Sequence, residues 1–340
     1  MRVAITADWH YDDYPNLVSA MKGSVSSRVD DISKAVNWIL READSRRVDR
    51  LMILGDVFHK RDLITVPVFN RVVEDLTADD KCSSFSTIIL AGNHDQTTKG
   101  GLTNSLYALD MWDGITIYDK ILGEEGDIYL PYRESYPSLW EGYGPPKSTI
   151  IYGHCGITGS RMTGFENAKN AEITPEELQL DKIAGGFFGH YHIHQQIAKR
   201  AWYVGAPLQH SFRDVGNKCG FMIVEIEGGK VGDIEFIENT FSPKFHVVDV
   251  SKDDPRKYPA TDFIRLKNAS NEDLVDLINL PNIVGIDREE IQAKSERSYL
   301  SLGEDSTVLA DKWVDNNCSD PRRARRLKAV GQEILRKVME

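Results

Sequence analysis

Five times within the first two hundred residues, a short apolar run ends in side chains of the types that can ligate metals. Residues 3–6 lead to Asp8-Trp9-His10, and residues 51–54 to Gly55-Asp56-Val57-Phe58-His59. Residues 87–90 lead to Gly92-Asn93-His94-Asp95, residues 149–152 to Gly153-His154, and residues 186–188 to Gly189-His190-Tyr191-His192. Runs this short and rich in Val, Ile and Phe read as buried strands. In open α/β sheets, sites gather at the carboxyl ends of the strands. A chain punctuated in this way is expected to deliver all five groups to one place.

The residue types suit a binuclear metal centre. Asp8 and His10 are two apart, so both side chains leave an extended segment on the same side, and the same holds for His190 and His192. Imidazole and carboxylate together favour zinc, iron or manganese over a purely magnesium site. Asp56 can bridge two ions, and two ions roughly 3.5–4 Å apart can clamp a phosphoryl group and deprotonate a water. Glycine before several of these residues allows the backbone to approach closely. Each motif alone is weak: a single Gly-His is usually an ordinary turn. The signal is five in succession, each after an apolar run. His194 continues the alternation but would find such a centre already filled, and His210 and His246 read as structural or solvated. Trp9, Phe58 and Tyr191, between the ligands, read as packing residues.

Between the strands lie helical patterns: Val29, Ile32, Val36, Ile39, Leu40 and Ala43, opened by Ser26-Ser27 as N-caps, and Val66, Phe69, Val72, Val73 and Leu76. Alternation of strand and helix implies a layered α/β domain, with residue 202–204 and 220–226 strands and a Gly228-Gly229 turn near its end. After residue 242 the pattern becomes β-β-α-β: strands at 245–250, 262–266 and 282–286, and a helix at 271–278. The expected division is therefore a first domain over 1–242, an α+β capping domain over 243–295, an irregular linker over 296–318, and a basic amphipathic helix over 319–340. In that helix Leu327, Val330, Ile334 and Val338 form a stripe among Arg322, Arg323, Arg325, Arg326, Lys328, Arg336 and Lys337, opened by an Asp320-Pro321 start signal.

Composition sets bounds. No stretch approaches the ~18 apolar residues of a membrane span, and the first residues read as a strand rather than a secretory signal, so a cytoplasmic location is expected, in a host cytoplasm if the chain is viral. Cys82, Cys155, Cys219 and Cys318 are widely spaced and read as free thiols. The formal charge of −11 argues against an autonomous, tight DNA-binding module, because phosphate neutralisation dominates such affinity. It does not argue against a nuclease.

The series Asp-x-His, Gly-Asp, Gly-Asn-His-Asp, Gly-His and Gly-His-x-His resembles the calcineurin-like metallophosphoesterase superfamily, and within it the SbcD-type DNA double-strand-break repair nucleases and phage recombination endonuclease subunits. Gly55-Asp56-Val57-Phe58-His59 is similar to the nuclease form of the second motif. Tyr203-Val204-Gly205-Ala206-Pro207, running on to Ser211-Phe212, is similar to the segment after the last histidine pair, with Ala206 in place of the usual Ser or Thr. The resemblance implies a layered β-sandwich flanked by helices. It implies one ion on Asp8, His10, Asp56 and His192 and a second on Asp56, Asn93, His154 and His190, both manganese, with magnesium or another divalent metal as the substitute. It further implies His94 as the general acid, His59 as a contact to the phosphate or the cut strand, and Asp95 as the group that orients His94. The implied activity is 3′-to-5′ exonuclease and single-strand endonuclease. The implied partners are DNA and an SbcC-type coiled-coil ATPase that receives the C-terminal helix. Helices at 66–78 and 102–112 could make a homodimer contact or belong to the core. Two other functions remain open at this point: a phosphodiesterase or phosphatase for small phosphoesters, and a DNA-end-binding scaffold with feeble catalysis.

Overall fold

The computed structural model describes residues 1–17, 21–22, 25–77, 84–98, 103–140, 144–162, 167–287, 306–318 and 320–339. In chain order its strands begin with β1 (Arg2–Thr6), β2 (Met21–Lys22), β3 (Val25–Ser26), β4 (Arg50–Ile53), β5 (Ser86–Leu90) and β6 (Ile115–Tyr118). They continue with β7 (Leu122–Glu124), β8 (Asp127–Leu130), β9 (Ile150–His154), β10 (Gly185–Gly189), β11 (Gln195–Ala198) and β12 (Ala201–Tyr203). The last are β13 (Gly220–Glu227), β14 (Lys230–Glu238), β15 (Phe245–Asp249), β16 (Phe263–Lys267) and β17 (Ile283–Asp287). The helices are α1 (Ser27–Ser45), α2 (Val66–Thr77), α3 (Pro175–Leu178), α4 (Asn271–Leu277), α5 (Ser306–Asn317) and α6 (Pro321–Met339).

Two six-stranded sheets stack face to face, one in the order β14-β13-β1-β4-β5-β6 and the other β11-β12-β10-β9-β8-β7. The period-two alternation of the strands explains the layering. Val3 and Ile5 of β1 join Tyr152, Phe187 and Met222 in the core between the sheets. Ala4 points the other way, to a core shared with Val29, Ile32 and Val36 of α1 and Val72 of α2. The outer face of the second sheet packs Ile151 and Phe188 against Leu178 of α3 and Ile183. The expected layered α/β fold is therefore the one observed. Parallel pairing of β1 with β4, of β4 with β5, and of β9 with β10 places the carboxyl ends of these strands on one side. Helix α1 begins where Ser26 accepts the Val29 N–H, as a serine cap should.

The β-β-α-β pattern after residue 242 forms a three-stranded parallel sheet, β15-β16-β17, with α4. Val248, Ile264, Leu266 and Leu277 make its core. It belongs to the same compact unit as the two large sheets, Met1–Asp287, whereas Arg288–Glu340 forms a second unit.

Two expectations need correction. Of the helix expected over 102–112, residue 102 lies outside the described residues, and the rest is only a short 3-10 turn, Tyr107–Met111. There Asn104 accepts the Leu106 N–H, a donor that a longer helix would use itself, and Asp110 reaches across to the Ile117 N–H of β6. Within the stretch expected to be an irregular linker, residues 306–317 are helical. Pairing with the following helix accounts for this: Lys328 Nζ reaches Asp315 at 2.6 Å and Gln332 Nε2 reaches Asp311 at 2.9 Å. Helix α6 starts as expected, with Asp320 accepting the Arg322 N–H before Pro321. Among the described residues, no helix is long and apolar enough to cross a membrane. Cys155 and Cys219 are buried free thiols and Cys318 is a half-buried one; Cys82 lies outside the described residues.

Candidate metal centre

All seven expected ligands come together at the strand ends. The end of β1 is tied to that of β4 by main-chain bonds from Asp8 N to Gly55 O (3.0 Å) and from His10 N to Asp56 O (2.9 Å). Asp8, His10, Asp56 and His190 all have positive φ (56°, 51°, 56° and 100°). Left-handed backbone at non-glycine residues costs roughly 1–3 kcal/mol each and persists where surrounding structure over-determines it, often at functional sites. Two glycines make the crowding possible. A Cβ on Gly55, itself at φ +85°, would collide with the His154 ring, and one on Gly92 with the Asp56 carboxylate.

The donor atoms face one another. His10 Nε2 lies 3.1 Å from His192 Nε2. Asn93 Oδ1 lies 3.1 Å from His154 Nε2 and 2.9 Å from His190 Nδ1. Asp56 Oδ2 sits between the two groups, 3.6 Å from His10 Nε2 and 3.4 Å from His154 Nε2. Asp8 is held by the His190 N–H, at 3.1 and 3.2 Å from its two oxygens. It clusters with His10 and His192, and also with Asp56 and His154.

This arrangement fits divalent cations by its chemistry. His154 Nδ1 donates to Leu54 O (2.6 Å), and His192 Nδ1 donates to the Asp214 carboxylate (3.2 Å). Each imidazole therefore turns its other nitrogen, Nε2, toward the centre, as metal-binding histidines do. In the neutral ring that nitrogen is a lone pair aimed at another acceptor. Nitrogen and oxygen ligands about 2.0–2.2 Å from one ion lie roughly 3 Å apart at right-angle positions, close to the separations found here. Burial pulls both rings down, but the Asp56 charge raises His154 to about 9, and Asp214 does the same for His192. Burial pushes Asp8 up to about 6, against the pull of His154 and His192. Burial and the neighbouring His154 hold His190 down at about 3.

His94 and His59 adjoin the ligands. Their rings stack with centroids 5.1 Å apart, and His94 Nδ1 donates to the His59 carbonyl. His94 Nε2 has no hydrogen-bond partner among the described residues. His59 Nδ1 lies 3.3 Å from His10 Nδ1.

Asp95 behaves otherwise than expected. Its carboxylate is buried and accepts three main-chain N–H groups: Asp56 (2.8 Å), Gly92 (2.9 Å) and Phe58 (3.0 Å). With its oxygens occupied, and the His94 Nδ1 proton committed to His59, Asp95 secures the loop that carries Asp56 instead of orienting the His94 ring. Burial, and then the Asp56 charge, push this carboxyl up to about 7.

His210, expected to be structural or solvated, takes the structural role, buried beside the centre. Its Nε2 donates to Asp8 O at 2.9 Å, and its ring lies 5.1 Å from that of His10 and 5.4 Å from that of His192. Asp214 was missed. It closes a capping box with Ser211 and orients His192, and the only trace in the sequence is the Ser-x-x-Asp spacing of that box. The residues set aside earlier do pack: Trp9, Phe58 and Tyr191 are buried, and His194 stacks on Phe236 while donating to Val204 O. His246 pairs with Asp262 at 2.7 Å, in the β15–β17 module. A pocket of about 590 Å³ opens over the centre, bordered by His10, Asp56, Asn93, His94, His190 and His192.

Comparison with known proteins agrees with this geometry. Residues 1–194 match the family described as calcineurin-like phosphoesterase. The SbcD component of the SbcCD nuclease of Escherichia coli K12 is 25% identical over 309 residues, covering 75% of this chain and 71% of that protein, and its counterpart in strain O157:H7 matches equally. Among solved structures, Pseudomonas putida nuclease MPE matches at 14% identity with a TM-score of 0.28, over 59% of this chain and 66% of that one. The phosphoesterase Yfce of E. coli matches at 12% identity with a TM-score of 0.32, over 70% of this chain and 100% of that one. Those structural likenesses are too slight to add to the family match.

Proposed function

The chain belongs to the calcineurin-like phosphoesterase family, a family of metal-dependent hydrolases, and from that premise we propose that it is the manganese-dependent nuclease subunit of a DNA repair or recombination complex. The observation that carries the chemistry is the convergence of seven ligand side chains from five strand ends, with their lone pairs facing one another. The choice of DNA rests on the identity with a curated nuclease component over most of both chains and on the nuclease-like second motif, residues 55–59.

Asp8, His10, Asp56 and His192 would hold one ion, and Asp56, Asn93, His154 and His190 the other. When bound, such a pair supplies the charge that polarises a phosphoryl oxygen and acidifies a water. The chain's own groups do the rest. Asp214 and Leu54 O fix the imidazoles of His192 and His154. His94, with Nδ1 anchored on His59 O, holds a proton on Nε2 and delivers it to the leaving 3′-oxygen, a general acid of the ordinary kind. His59, stacked on His94, contacts the phosphate. Lys60, also at the pocket, adds positive charge, tempered by its pair with Asp12 at 3.0 Å.

Helix α6 supplies the subunit character of this reading. Leu327, Val330 and Ile334 are exposed along a helix whose first turns are rich in arginine, which suits a groove on a coiled-coil ATPase partner. A nuclease assay with linear DNA tests the reading, run with and without manganese on the wild type and on His94→Ala. Manganese-dependent cutting that the substitution abolishes supports it. Hydrolysis of bis-p-nitrophenyl phosphate without any cutting of DNA would assign the chain to small phosphoesters instead. Capture of a coiled-coil ATPase by the full chain, lost on removal of residues 319–340, tests the partner.

A further inference from the structure

The lining of the pocket is of two kinds. One is the metal centre with His94. The other is apolar and aromatic, bordered by Tyr14, Pro15, Leu17, Phe212 and Phe245. A site that recognised only a phosphate and its cations would have no use for the second kind.

Its rings are fixed in place. Phe212 begins the 3-10 turn Phe212–Asp214, two residues before the carboxylate that orients His192, so ring and metal centre share one short rigid segment. The Phe212 ring is only half-buried, yet it is held. The Arg265 guanidinium of β16 lies 4.1 Å from its centroid, and Phe245 of β15 meets it edge-on at 5.0 Å and 85°. Tyr14 stands on strained backbone (φ 44°), with its hydroxyl on His10 O at 3.1 Å and its ring 4.9 Å from that of His59. The β15–β17 module thus supports one aromatic face of the pocket, and the loop after β1 supplies another.

We propose that Tyr14 and Phe212, with the buried Phe245 ring behind them, form a nucleobase subsite, which seats the base of the nucleotide whose phosphate lies beside His94 and Asp56. This rests on the nuclease reading above and names what that site grips besides phosphate. A pocket of about 590 Å³ is in the usual range for a ligand the size of one nucleotide. A flat heterocycle joined to a phosphate is the occupant that matches an aromatic lining beside a phosphate-handling one. Stacking of this kind tolerates any base, so the subsite confers a requirement for a base without a sequence preference.

The test uses the full chain with manganese and two single-stranded oligonucleotides, one with an intact nucleotide at the scissile end and one with a tetrahydrofuran abasic analogue there. The wild type prefers the intact end by about tenfold or more in kcat/KM, in line with base–aromatic stacking. Phe212→Leu, which keeps the apolar packing but removes the ring, brings that ratio to within about twofold, mainly through KM, whereas Phe212→Tyr keeps it. A wild-type ratio near one, or a ratio unchanged in Phe212→Leu, overturns the proposal. Binding of thymidine 5′-monophosphate and deoxyribose 5-phosphate to the manganese-loaded protein separates the two levels. If neither oligonucleotide is cut but the nucleotide binds at least tenfold tighter, and Phe212→Leu erases that margin, the subsite stands and the nuclease reading falls. Equal binding of the two overturns the subsite.

Discussion

Replacing Asp95 by alanine removes the acceptor of three buried main-chain N–H groups, those of Asp56, Phe58 and Gly92. A buried donor left without a partner costs about 1–3 kcal/mol, and water entering the space left by the carboxylate would recover part of the sum, so Asp95→Ala should lose about 3–5 kcal/mol of stability. Asparagine makes a finer probe. With its carbonyl at the Oδ2 position it keeps the bonds from Asp56 and Gly92 and turns its amide against the Phe58 N–H, a loss of about 1–3 kcal/mol. Urea unfolding at pH 8 with chelator present, followed by tryptophan fluorescence, measures both. Amide exchange should speed up at residues 56, 58 and 92 in the alanine variant. If Asp95→Ala unfolds within about 1 kcal/mol of the wild type, less than a single such loss, the clamp is not what holds the Asp56 loop. If Asp95→Asn instead lowers kcat with no loss of stability, the carboxylate acts on the His94 ring after all.

Further outcomes follow from the same geometry. Asp214→Ala frees the His192 ring and should weaken manganese binding by about 10–100-fold, the usual effect of removing a group that orients a metal-binding histidine; a calorimetric titration decides it. Protons compete with the cation for His154 and His192, whose folded values near 9 lie above the ordinary histidine range. Affinity for manganese should therefore rise with pH between about 6 and 8, by about tenfold per unit for each proton displaced, and titrations in buffers of different ionisation enthalpy should register that release. A flat profile would refute it. Gly92→Ala forces a methyl group against the Asp56 carboxylate and should abolish hydrolysis of bis-p-nitrophenyl phosphate while leaving the far-ultraviolet circular dichroism unchanged.

The sequence was informative where hydrophobic contrast is strong. β1, β4, β5, β9 and β10 are almost wholly buried, so their apolar runs and the ligands just beyond them stand out. β7 and β14 are largely exposed, which left no comparable pattern to read. The segment before β6 has a helix-like spacing because Leu106 and Leu109 are core residues, while Asn104 and Asp110 divert the backbone into turns. At the centre, residue types revealed which side chains converge but not what their second atoms do. That Asp95 binds backbone, and that His210 and Asp214 brace Asp8 and His192, depends on turn conformations with no periodic signature.

Anomalous diffraction from crystals soaked in manganese tests the central claim most directly. Two peaks are expected, about 3.5–4 Å apart, on either side of the Asp56 carboxylate, one against His10 and His192 and the other against His154 and His190. A map with no peak among these side chains, or with manganese only elsewhere on the molecule, would contradict the assignment.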